Sequence, residues 1–91
     1  MLEITVEHNV TPAKLDAMGV DSWASWEKEV STFEWTYDEA EVCYIFEGEA
    51  VITPDGGVPV TITRGDLVQF PAGMSCIWQI TEAIEKNYIF K

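Results

Sequence analysis

Basic residues are scarce in this chain, with five Lys and Arg against sixteen Asp and Glu and a formal net charge of −11. Nucleic acid carries the same sign of charge, and so does an anionic membrane surface, so neither is an expected partner. Histidine is scarcer still: the single one, His8, sits near the N-terminus and is read as a surface or edge residue. Two cysteines, Cys43 and Cys76, are too few for a disulfide framework and are expected to be free thiols in a reducing compartment. No apolar run approaches the ~20 residues a membrane helix needs. Met1 to Glu7 lacks a basic stretch followed by an apolar one, so no secretory signal is read there and the cytoplasm is the expected compartment.

What is present describes one ordered globular unit. At 91 residues and 47% hydrophobic content the chain can build a single core but not two. It shows no repeat, linker or low-complexity tract. Leu2 to Val6 alternates apolar and polar residues as a short edge strand does. Thr11-Pro12 pairs a capping residue with proline at a first helical position, which predicts about two helical turns from Thr11 to Met18, closed by Gly19. Val20 to Val30 is open between helix and strand, since Trp23 and Trp26 are spaced as on a helix face.

From Phe33 onward the pattern is β. Phe33, Trp35 and Tyr37 share one face by the two-residue period. Asp38-Glu39-Ala40 is a turn. Glu41, Cys43 and Ile45 share a face of the next strand, while Val42, Tyr44 and Phe46 share the other, both apolar enough for burial on two sides. Pro54-Asp55-Gly56-Gly57 between Glu49–Thr53 and Val58–Thr63 signals a hairpin. Asp66–Phe70, Met74–Ile80 and Ile84–Phe90 complete a series of short strands punctuated by Gly and Pro, which argues for an all-β jelly-roll barrel with a short N-terminal helical segment.

Two stretches carry a resemblance. Gly65, Pro71 and Gly73 fit the second cupin motif, Gly-x5-Pro-x-Gly-x2-His-x3-Asn, with Cys76 where that motif has its metal-binding His and Ile80 where it has Asn. Glu41 and Gly48 fit the close of the first motif, Glu-x6-Gly. Trp35 with Tyr37, or Glu34 with Thr36, stand in place of its two histidines. Together with Trp26 to Trp35 and Glu41 to Gly48, these residues resemble the small single-domain cupins grouped with the ureidoglycine aminohydrolase-like cupin domain, which include an ethanolamine-utilisation cupin. The resemblance implies a cupin domain over residues 1–91, with the N-terminal strand and helix in 1–22 and the barrel in 23–91. It also implies a pocket in the barrel around Glu41.

If Glu41 points inward, strand parity places Cys43 inward too, and Cys76 brings Trp78 with it. The expected lumen holds Glu41, Cys43, Cys76, Trp35, Tyr37 and Trp78, with Trp23 and Trp26 at the mouth, a composition suited to a small polar metabolite. Glu41, a lone carboxyl among rings, is the expected acid–base or ligand-orienting group, or else a structural residue that binds backbone amides or Tyr37. Lys28 is the expected cation beside it if the fold brings it to the pocket. Cys76 is either a nucleophile, activated by Lys28 or Arg64 if the fold brings one close, or a small core residue, and Cys43 and Cys76 could meet across the lumen.

No resident cofactor is expected. The usual cupin metal has lost its histidines, and only a substituted set of Glu41, Cys76 and Tyr37 or Cys43 could replace them. Three functional readings are therefore carried forward. The first is a small-molecule-binding cupin of unassigned activity, the second a non-catalytic ligand-sensing or structural homodimer, and the third a metal enzyme with substituted ligands.

Overall fold

The computed structural model describes residues 2–91. Seven strands and one helix follow in the order β1 (Thr5–Glu7), α1 (Pro12–Met18), β2 (Ala24–Lys28), β3 (Ser31–Thr36), β4 (Glu41–Pro54), β5 (Val60–Thr63), β6 (Leu67–Phe70) and β7 (Ser75–Phe90). All strand pairs are antiparallel. This is the mainly β architecture of a cupin jelly roll.

The helix forms as its local sequence predicts. The Thr11 hydroxyl accepts from the Lys14 N–H at 3.2 Å, proline takes the first helical position, and Gly19 closes the helix at φ 72°. A short 3-10 turn at Val20–Ser22 then delivers the chain to β2, which settles the ambiguous segment as turn followed by strand. The first strand is shorter than its alternation suggests, because only Thr5–Glu7 finds a partner, at Leu67–Gln69 of β6.

The main departure from the sequence reading lies in β4 and β7. Each was expected as two separate strands, and each runs unbroken, over 14 and 16 residues respectively. The two stay paired along most of their length and bend together. The first half of β4 lies between β6 and the last half of β7, whose other edge carries β2. The second half of β4 lies between β5 and the first half of β7, whose other edge carries β3.

The corner falls where the register between them shifts, from Ile45 to Ala50. Gly48 occupies it at φ 97°, and a Cβ there would stand 2.1 Å from the Ala83 carbonyl oxygen. Only glycine lets the two backbones approach so closely at a barrel bend. The two halves fold face to face over a core that includes Ile45, Ile52, Ile62, Val68, Phe70, Trp78 and Ile80.

Candidate functional site

Inward-facing side chains at one end of this barrel leave a pocket of about 190 Å³. Register explains which residues line it. Trp26 lies opposite Lys86, Phe33 opposite Trp78, and Glu41 opposite both Phe70 and Phe90. Trp26, Phe33, Trp78 and Tyr88 form the walls, and Glu41, Lys86 and Tyr37 supply the polar groups. Trp35 and Phe90 also line it, and both are half exposed, at 51% and 50%, as residues of a mouth would be.

Lys86 decides the electrostatics. Its ammonium donates to Glu41 Oε2 at 2.9 Å, and both side chains are buried. The same nitrogen sits 4.9 Å from the ring centroids of Trp26 and Trp78, with Tyr88 and Phe70 at 5.7 and 5.9 Å. Aromatic faces carry negative charge density, so this box and the carboxylate together replace the water a buried ammonium loses. The expectation of a lone carboxyl is thereby corrected: Glu41 is half of an ion pair.

Aromatic contacts rigidify the walls. Trp78 stacks on Phe33 with centroids 6.0 Å apart and meets Trp26 edge-on at 6.0 Å. Its indole N–H donates to the Tyr37 hydroxyl at 3.2 Å, and Tyr37 stacks on Phe70 at 4.6 Å. Burial, reinforced by the nearby Glu41 carboxylate, pushes the Tyr37 phenol well above its ordinary value, so it stays protonated at any physiological pH.

Of the residues expected to face the pocket, Glu41, Tyr37, Trp35, Trp78 and Trp26 line it. Trp23 and three others do not. Cys43 and Cys76 belong to the packed core instead. Burial pushes the Cys43 thiol up to about 12 and the Cys76 thiol up to about 11, and the Cys76 S–H donates to the Trp35 carbonyl at 3.6 Å. Lys28 has inward parity, opposite Ile84, but lies beyond the pocket with its ammonium 5.6 Å from the Phe33 ring. His8 is also elsewhere: Asp66 Oδ1 accepts from its Nδ1 at 2.6 Å, and Asp66 Oδ2 accepts the Thr63 N–H at 2.9 Å.

Lys86 was missed, as were Phe33, Tyr88 and Phe90 as pocket lining. A signal was available in the last strand, where Ile84, Lys86, Tyr88 and Phe90 alternate with Glu85, Asn87 and Ile89. A lysine on an otherwise apolar stripe is a lysine turned inward.

The side chains present do not fit a divalent cation. Among the described residues no three His, Cys, Asp or Glu side chains converge. The Glu41 carboxylate already faces an ammonium, the Tyr37 hydroxyl accepts from an indole, and the Cys76 thiol lies in the packed core off the pocket, against the Trp35 carbonyl. A metal ligand set requires deprotonated, converging donors.

Comparison with known proteins places the fold. Residues 15–88 match the family described as the EutQ-like cupin domain. The fold superimposes on a DUF861 family protein from Thermotoga maritima with a TM-score of 0.94 at 44% identity, covering 98% of this chain and 100% of that one. The EutQ protein of Clostridium difficile shares the fold at a TM-score of 0.68 and 22% identity, over 98% of this chain and 68% of that one. No curated protein sequence matches the chain.

Proposed function

The chain belongs to the EutQ-like cupin family, and from that premise we propose that it binds a small polar metabolite in the aromatic pocket, without a metal, using the Glu41–Lys86 pair to orient it. The observation that carries this reading is a buried ion pair at the edge of a pocket instead of inside a sealed core. Burying two charges costs several kcal/mol each before pairing, and an apolar pair of similar volume would close a barrel at least as well. A charged pair beside a cavity makes sense when the cavity receives something polar. The resemblance to the ureidoglycine aminohydrolase-like group favours a nitrogen-containing ligand, and the free cysteines favour a cytoplasmic setting.

Glu41 orients the ligand in this reading, and Tyr37 is a neutral hydrogen-bonding helper. Neither thiol has a chemical role in this reading, because both lie in the packed core off the pocket. The homodimeric, non-catalytic reading is the alternative; the exposed Ile77 and Ile89 lie on the two separate halves of β7, singly and not as one patch, so they do not favour it.

A thermal-shift screen of polar metabolites tests the proposal. A true ligand at a hundredfold over its Kd adds about 2.7 kcal/mol of stability. Ligands should raise the melting temperature of the wild type and lose that effect when Glu41 and Lys86 are both replaced by leucine. Hits that stabilise both proteins equally would place binding elsewhere. Glu41→Gln should weaken the hits; a screen without hits, on a protein whose dimer Glu41→Gln leaves untouched, would favour the dimer alternative.

A further inference from the structure

The polar groups of the pocket have hydrogen-bonding capacity that the fold leaves unused. Glu41 engages Lys86 through Oε2 alone. Its Oε1 has no partner among the described residues, yet it is not among buried polar atoms sealed from solvent without a partner, so it opens to the pocket that Glu41 lines. The Lys86 ammonium has three N–H bonds and directs one at Glu41. Tyr37 accepts from Trp78 through its oxygen, and its own O–H has no acceptor among the described residues. The pocket therefore offers one acceptor beside several donors, on a pair whose charges cancel.

Charge and shape together narrow the ligand. An anionic ligand reaching Lys86 would also meet the Glu41 carboxylate, in a chain of net charge −11. A cationic ligand would compete for aromatic faces that already hold an ammonium at 4.9 Å. A neutral group with a donor and an acceptor side by side can engage both members of the pair without separating them. An amide closed into a ring has that edge, because its N–H and C=O are held cis.

The walls of Trp26, Phe33 and Trp78 favour a flat body. A cavity of about 150 Å³ holds one benzene ring, so one of about 190 Å³ holds a six-membered ring with a small substituent.

Resting on the small-molecule reading above, we infer that the pocket takes a neutral single-ring lactam, its N–H donating to Glu41 Oε1 and its carbonyl accepting from Lys86 Nζ. This assigns the pocket a ligand class and gives the two members of the ion pair separate roles, Glu41 reading the donor and Lys86 the acceptor.

The test uses 2-pyridone as probe, with N-methyl-2-pyridone, benzoate and benzylamine beside it, by calorimetry and by the indole N–H signals of the tryptophans. The signals of Trp26 and Trp78 should move with 2-pyridone while that of Trp23, off the pocket, stays still. Methylating the probe nitrogen should weaken binding by about tenfold, the loss of about one charged hydrogen bond. Joint Glu41→Leu and Lys86→Leu replacement should abolish binding in a protein that still folds.

Equal binding of the methylated probe would overturn the role given to Glu41 Oε1. Tighter binding of benzoate or benzylamine, with the same indole shifts, would overturn the lactam class and leave the pocket reading standing. If no probe moves Trp26 or Trp78 at millimolar concentration, the lactam inference fails, and the thermal-shift screen decides the pocket reading by itself.

Discussion

Glu41 and Lys86 start from different levels of the same paired strands, Glu41 opposite Phe90 and Lys86 opposite Ile45, yet their side chains meet at 2.9 Å. Four residues of strand separate those levels, roughly 13 Å. The lysine stem must lean along the barrel, past the faces of Trp26 and Trp78, to close the gap. Two long side chains are thereby held in one arrangement.

Removing one partner leaves the other charged and buried. Lys86→Met should therefore destabilise the fold by about 3–5 kcal/mol, while leucine at both positions should leave it within about 1 kcal/mol of wild type or make it more stable. Urea unfolding of the three proteins measures this. A single substitution no costlier than the double one would mean that the pair is not electrostatically coupled.

The thiols give a pH signature. Cys43 and Cys76 rise from an ordinary 9.0 to about 12 and about 11 in the folded protein, chiefly through burial. Between pH 9 and those values the unfolded chain releases protons that the folded one retains, so stability falls as pH rises. Their contribution is complete below pH 9 and lost as the pH climbs through about 11 and 12. At neutral pH, a thiol reagent should label native protein slowly and urea-unfolded protein at the rate of free cysteine. Fast labelling of the native protein would contradict the burial of both thiols.

Two glycines separate crowding from backbone strain. Gly48 and Gly65 have similar φ values, 97° and 92°, but an added Cβ at Gly48 would strike the Ala83 carbonyl at 2.1 Å, whereas one at Gly65 would meet nothing within 4 Å. Gly65→Ala should cost about 1–2 kcal/mol, the strain of a left-handed alanine. Gly48→Ala should cost far more, because β4 and β7 must part at their common bend. Melting temperatures of the two variants provide the comparison, and equal losses would mean that the corner can relax.

Trp78 and Trp35 line one pocket with unequal duties. Trp78→Ala removes a buried ring that stacks on Phe33 and anchors Tyr37, and should cost about 3–5 kcal/mol. Trp35 is half exposed, so Trp35→Ala should stay within about 1 kcal/mol of wild type and act on ligand binding at the mouth. Chemical denaturation checks both. A large loss at Trp35 would show that the mouth residue is part of the core.

Features set by neighbours along the chain were legible in the sequence. Thr11-Pro12 and Gly19 mark a helix because capping and φ preference are local, and the turn at Pro54–Gly57 joins β4 to β5 for the same reason. Alternation from Glu41 to Ile45 turned those side chains inward, as two-residue periodicity requires. Local chemistry does not say where strands bend or which inward residues share a level. The continuity of β4 and β7 depends on pairing across the barrel, and Gly48 reads as an ordinary turn residue until Ala83 is brought against it.

The same holds for the pocket. Cys43 and Trp78 both face inward, but register puts the cysteine in the packed core and the tryptophan on the pocket wall. Lys28 and Lys86 are both inward lysines, and only Lys86 reaches Glu41, 45 residues away in the chain. Parity is a property of the local backbone and could be read from the sequence. The meeting of Glu41 with Lys86 depends on register, bend and side-chain reach acting together, and these exist only in the folded barrel.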